Sequence, residues 1–255
     1  MELNLRRIVG QCILALTVTA ALVTSASAQQ GKIQSITFYT IKPDRVGDFQ
    51  AGVKELHALY VKAGTTRYGS VWLSLTGPRT YVVASYYEKW ADLDAGSDPK
   101  LKDVEADVAR INARIMACVD SYRRVIAEIQ PDLSIENATE MPKMIRVLTT
   151  EVRPEKFREY LALVKSDILP AAQKSGMKLY EFSETLYGGP NTEVTSVVGM
   201  DHWADLDGGY GVEKALGKEG YEALRVKIRP LIVHSEYDEY RFQPELSYLA
   251  PPVAK

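Results

Sequence analysis

Cysteine and histidine are scarce in this chain. Its 255 residues include two cysteines, Cys12 and Cys118, and three histidines, His57, His202 and His234. Two cysteines exclude a disulfide-stapled scaffold. The histidines show no H-x-H, H-x-x-x-H or H-E-x-x-H spacing, so the sequence predicts neither a metal centre nor a cofactor. An excess of one charge is also lacking. The 31 basic and 33 acidic residues leave a net charge of −2, which gives no electrostatic basis for nucleic-acid binding. There is no phosphate loop, dinucleotide fingerprint or G-x-S-x-G elbow. Beyond residue 28 no stretch is apolar enough to span a membrane.

What is present begins with an address. Arg6 and Arg7 precede an uncharged, largely apolar run from Ile8 to Val23, and Ala26-Ser27-Ala28 then fits the A-x-A pattern of signal peptidase. Residues 1–28 are therefore expected to be a signal peptide cut after Ala28, giving a periplasmic or secreted protein with no membrane attachment. Cys118, within Ile115-Met116-Ala117-Cys118-Val119, would be the one remaining thiol, buried and inert.

The rest of the chain repeats itself. Trp90-Ala91-Asp92-Leu93-Asp94 recurs as Trp203-Ala204-Asp205-Leu206-Asp207, and Gln130-Pro131-Asp132-Leu133-Ser134 as Gln243-Pro244-Glu245-Leu246-Ser247, both at an offset of 113. Ile41-Lys42-Pro43 recurs as Val152-Arg153-Pro154 at an offset of 111, so two residues are inserted between these landmarks. Such self-similarity marks repeated structural units. The expected organisation is a first repeat over 29–134, a linker over 135–142, a second repeat over 143–247 and a tail over 248–255.

Each half predicts the order β-α-β-β-α-β. Ile33–Ile41 is rich in β-branched and aromatic residues and reads as a strand. Val46, Phe49, Val53, Leu56, Tyr60 and Ala63 then form one apolar helical stripe that Gly64 ends. Two hairpin strands follow, then a helix opened by Pro99 and a last strand ending at Ile129. The second half predicts strands over 144–152, 177–187, 193–200 and 235–242, with helices after Pro154 and over 212–228. This is the ferredoxin-like order. Such a half covers one sheet face with helices and leaves the other bare. Trp72, Tyr86, Phe182 and Val197 would make that face apolar, a liability if exposed. Two halves can bury these faces together, so the fold class expected is α+β: two tandem ferredoxin-like repeats closing one eight-stranded barrel within a single chain.

The segments Tyr86-Tyr87-Glu88-Lys89-Trp90-Ala91-Asp92-Leu93 and Gly199-Met200-Asp201-His202-Trp203-Ala204-Asp205-Leu206 resemble the dimeric α+β barrel superfamily. Its members include antibiotic-biosynthesis monooxygenases, haem-degrading monooxygenases and NIPSNAP-type proteins. Tyr39-Thr40-Ile41-Lys42-Pro43-Asp44-Arg45 is NIPSNAP-like as well. The resemblance implies the barrel fold and monooxygenase-like relatives. The haem-degrading members carry an asparagine on the first strand and a histidine on the second helix. Neither is found in the corresponding segments here, so haem degradation is not implied.

Three functions stay open from the residues. One is binding of a small hydrophobic or aromatic ligand inside the barrel, with Trp90, Trp203, Tyr39, Tyr86, Tyr180 and Tyr237 as lining candidates. A second is cofactor-free oxygenation or isomerisation of a small aromatic or quinone-like substrate, with His202 and His234 as candidate bases. The third is a non-catalytic interaction module. A homodimer is also left open. Strand alternation places Glu181 and Ser183 on the face opposite Tyr180 and Phe182.

Overall fold

The computed structural model describes residues 32–94, 98–136, 138 and 140–249. The expected signal, 1–28, lies outside these residues, as does the tail beyond Leu249.

The first half runs β1 (Ile33–Ile41), α1 (Val46–Ala63), β2 (Gly69–Ser74), β3 (Thr80–Tyr87), α2 (Glu105–Ala117) and β4 (Val119–Ile129). A two-residue strand, β5 (Ile135–Glu136), follows in the segment expected to be a linker. The second half runs β6 (Met144–Val152), α3 (Phe157–Leu163), α4 (Leu169–Lys174), β7 (Leu179–Tyr187), β8 (Glu193–Met200), α5 (Gly211–Ile228) and β9 (Ile232–Phe242). Gly64 ends α1 as expected. It takes the left-handed conformation, φ 66°, and its N–H reaches back to the carbonyls of Tyr60 and Val61. Three helices depart from the simple pattern. The one expected over 212–228, α5, is kinked at Gly217, whose φ of 71° is not helical. Pro99 opens a 3-10 segment to Val104, and α2 begins only at Glu105. The helix expected after Pro154 is interrupted by a π segment, Val164–Ile168, just before Pro170. Pro170 has no N–H for the carbonyl four residues back, and its ring crowds that carbonyl, so local widening relieves the clash.

The strands form one closed antiparallel barrel. The order is β4-β1-β3-β2-β9-β6-β8-β7, and β7 pairs with β4 to close the ring. The halves meet at two seams: Trp72 opposite Phe242 on β2–β9, and Ile129 opposite Ser183 on β4–β7.

Alternation along the strands sorts the side chains into three cores. Ile41, Phe49, Val71, Tyr81 and Ile115 pack between the first-half sheet and α1/α2. Val152, Tyr160, Tyr180, Phe182 and Leu224 pack between the second-half sheet and α3–α5. Trp72, Val82, Ile145 and Tyr240, with Phe38, Val197 and Phe242 against them, fill part of the barrel interior. Trp72 and Val197 therefore face inward as expected. Phe182 does not: it lies on the helix side, and its neighbours Glu181 and Ser183 point into the barrel. A strand has one parity, and an inward Glu181 puts Phe182 outward.

Each half ends in a strap that crosses to the other. Leu133 enters the second-half helical core, and Leu246, with none of its surface exposed, enters the first-half core. Ser134 Oγ donates to the Gln130 carbonyl at 2.8 Å and accepts the Phe182 N–H at 3.0 Å. Ser247 Oγ donates to the Gln243 carbonyl at 2.8 Å and accepts the Val71 N–H at 2.8 Å. Past these serines Ile135 pairs with Tyr180, and Tyr248 bridges to Gly69. A buried leucine is worth about 1.5–3 kcal/mol, so each half depends on the other for part of its core.

Candidate functional site

The barrel interior is polarised. On β1 and β7, Gln34 and Glu181 turn inward, each 4 % exposed. Gln34 Nε2 donates to Glu181 Oε1 at 2.9 Å. The Tyr86 hydroxyl, from β3, lies 3.5 Å from Glu181 Oε2, a long contact. Ser183 and Thr185 continue the same polar face along β7. Among the described residues no cation pairs with Glu181. Burial pushes its carboxyl up to about 7; the Gln34 amide opposes this, and the charge of Glu136 adds to it. Burial and the Glu181 charge likewise hold the Tyr86 hydroxyl well above its ordinary range.

The rest of the interior is mostly apolar, with Asp238 of β9 on the same inward parity as Tyr240. The Trp72 and Phe242 rings lie 5.1 Å apart, and Trp72 Nε1 is satisfied by Ser70 Oγ at 2.9 Å. Ile36, Phe38, Val147 and Val197 keep part of their surface accessible although their strand parity turns them inward. An eight-stranded barrel is wide enough for its own side chains or for one small ligand. At the 111- and 113-residue offsets Gln34, Glu181 and Tyr86 correspond to Ile145, Ser70 and Gly199. The polar group is therefore built on one side only.

The residues singled out in the sequence do not come together. Tyr86 alone of the four tyrosines faces the interior. Tyr39 stands on the helix side of the first half, against Phe49 and Tyr122. Tyr180 is buried in the second-half helical core, where its hydroxyl bonds Ser196. Tyr237 is on the helix side of β9, with its ring centroid 5.0 Å from the Arg146 guanidinium. Trp90 and Trp203 sit on outer 3-10 turns, 48 % and 47 % exposed; Trp90 meets the Tyr187 ring edge-on at 5.8 Å. His202 is exposed at the start of the second turn, where its main-chain N–H donates to Asp205. His234 is exposed on β9, 3.7 Å from Glu236. Among the described residues no group of three or more His, Cys, Asp or Glu is placed to hold a metal ion. Glu181 and Gln34 were missed as site residues. The signal for Glu181 is a charge on the parity it shares with Ser183 and Thr185, a parity that the strand's other charge, Glu184, does not share.

A groove of about 350 Å³ lies outside the barrel between α4 and α5. Its Asp167 and Lys227 already pair with each other, and it shares no residue with the interior group.

A closed eight-stranded sheet with helices over each half defines an α+β barrel protein. Known structures share this fold. A candidate monooxygenase of Lactobacillus acidophilus NCFM superposes with a TM-score of 0.56 at 10 % identity, covering 82 % of this chain and 93 % of that one. A candidate monooxygenase of Fusobacterium nucleatum gives 0.58 at 11 % identity, with 82 % and 91 % covered. A protein described as anthrone oxidase-like gives 0.54 at 15 % identity, with 85 % and 93 % covered. At such identities the likeness is one of fold. The sequence matches no protein-family model and no curated protein.

Proposed function

We propose that the barrel interior binds a small, largely apolar aromatic molecule through one polar end, which meets Glu181, Gln34 and Tyr86. One observation carries this reading: a carboxyl 4 % exposed, with no cationic partner among the described residues, in an interior whose other side chains are mostly apolar. Burying such a group costs stability unless it is paired, and a polar ligand group would supply the partner. The remaining capacity of the carboxyl suits a ligand hydroxyl, and Trp72 and Phe38 suit a ring. The fold likeness to an anthrone oxidase-like protein makes hydroxylated anthracene derivatives the first probes.

The test uses the protein with Trp90 and Trp203 changed to Phe, which leaves Trp72 as the one fluorophore of its kind. Added 1,8-dihydroxyanthraquinone is expected to quench it saturably, at least tenfold more weakly once Glu181→Leu is introduced. Non-saturable quenching in the folded protein sinks the reading.

A second reading follows from the titration of Glu181 near neutrality. A base of that strength can remove the proton that starts cofactor-free oxidation of an anthrone, in which O2 takes the carbanion's electrons, one oxygen enters the ring and the other leaves as water. Oxygen uptake with 1,8-dihydroxyanthrone, abolished in Glu181→Gln, is its signature.

We also infer that the chain is a tandem duplication and that it is exported. The 111- and 113-residue offsets and the reciprocal straps support the first. The charged, apolar and A-x-A segments of residues 1–28 support the second.

A further inference from the structure

The second half carries a group that the first half lacks, on the helix side of the sheet and away from the barrel interior. Arg146 on β6 stands opposite Glu239 on β9, and Leu148 stands opposite Tyr237. Arg146 Nε and Nη2 both donate to Glu239 Oε1, at 2.9 and 2.8 Å. Its third nitrogen, Nη1, makes no hydrogen bond among the described residues. The guanidinium lies 5.0 Å from the centroid of the Tyr237 ring and 6.0 Å from that of Tyr210, which sits just before α5. The Tyr237 hydroxyl bonds that of Tyr221 on α5.

The rest of the molecule holds this group in place. The Glu239 carbonyl accepts the Leu75 N–H at 2.7 Å, and its own N–H reaches Thr76 Oγ1 at 3.3 Å. The β2–β3 turn of the first half thus fixes the acid that orients Arg146. The Arg146 side chain is 21 % exposed and Tyr237 is 46 % exposed, so solvent reaches both. At the offsets above, Arg146, Leu148, Tyr221, Tyr237 and Glu239 correspond to Ser35, Thr37, Val108, Arg124 and Ile126. The first half has the same sheet and helices without this group, so the fold does not require it.

A guanidinium with one N–H edge unspent, beside an exposed aromatic face and neutral hydroxyl donors, is a receptor for a planar anion. The carboxylate takes the N–H edge, and the ring lies on Tyr237 and Leu148. Glu239 pre-orients the guanidinium, which lowers the cost of ordering it on binding. We propose that Arg146, Tyr210 and Tyr237 form a second ligand site, distinct from the barrel interior, for a small aromatic monocarboxylate.

The test measures binding of 2-naphthoate and of the uncharged 2-naphthylmethanol, by calorimetry, to the full chain carrying Glu181→Leu, which removes the polar end of the barrel interior. The expected result is saturable 1:1 binding of naphthoate, with the alcohol at least tenfold weaker. Affinity should fall at least tenfold when Tyr237→Leu, an exposed position, or the Arg146→Gln/Glu239→Gln pair, which removes both charges together, is added. The proposal is overturned if naphthoate does not bind this folded protein, if the alcohol binds as tightly, or if the folded further variants bind normally. Naphthoate binding that is present in the unaltered chain and abolished by Glu181→Leu would place the ligand in the barrel and overturn it as well.

Discussion

Replacing Glu181 by Gln should stabilise the protein in alkaline solution and do little in acid. The carboxyl has an ordinary value of 4.5 in the unfolded chain and about 7 in the folded one. A carboxyl raised on folding binds its proton more tightly in the native state, so stability is unaffected below about pH 4.5, falls between there and 7, and stays low above. A displacement of this size corresponds to about 3 kcal/mol. No reduction for solvent screening is needed, because Glu181 is 4 % exposed and among the described residues has no ion partner. The substituted amide would keep an oxygen for Gln34 and would never ionise. Urea unfolding of both proteins from pH 4.5 to 8.5 supplies the measurement. The difference between them should grow by about 3 kcal/mol across that range, since every other titrating group cancels. A difference independent of pH would mean that Glu181 titrates normally, in contact with water, and the polarised interior on which the ligand reading rests would fail.

Other perturbations test other parts of the structure. Leu246→Ala and Leu133→Ala should each cost about 2–5 kcal/mol, and hydrogen exchange should rise around Phe49 and Val71 for the first and around Phe182 for the second, each in the half the leucine enters. Gly188→Ala should cost at least about 2 kcal/mol in thermal or urea melts, because φ is 85° and the added methyl would collide with the Arg124 carbonyl oxygen. Burial lowers His57 from 6.5 to about 4, and its Nδ1 has no hydrogen-bond partner. The unfolded chain therefore takes up a proton first, and the protein loses stability as the pH falls from 6.5 toward 4. His57→Phe should flatten that part of the acid limb. Protein recovered from the periplasm of an expressing bacterial host should have an intact mass that begins at Gln29.

The parts of this fold that local chemistry dictates could be read directly. Gly64 ends α1 because an αL residue is needed there, and the Trp90 and Trp203 turns identify themselves by repeating. The exchange of straps could not be read. Leu133 and Leu246 are apolar residues after Gln-Pro in either arrangement, and nothing near them says which half they enter. Seams such as Trp72–Phe242 decide that, between residues 170 positions apart. The site was obscured for a related reason. Tyrosine is the expected lining residue because an aromatic ring with a hydroxyl suits an aromatic ligand, yet strand parity sends Tyr39, Tyr180 and Tyr237 to the helix side. The same parity, followed along β7, turns Ser183 and Thr185 inward with Glu181 and leaves Phe182 to the helices. In a barrel whose faces are both covered, hydrophobicity does not separate inside from outside. The informative residue is the one whose burial needs a reason, and on β7 that residue is Glu181.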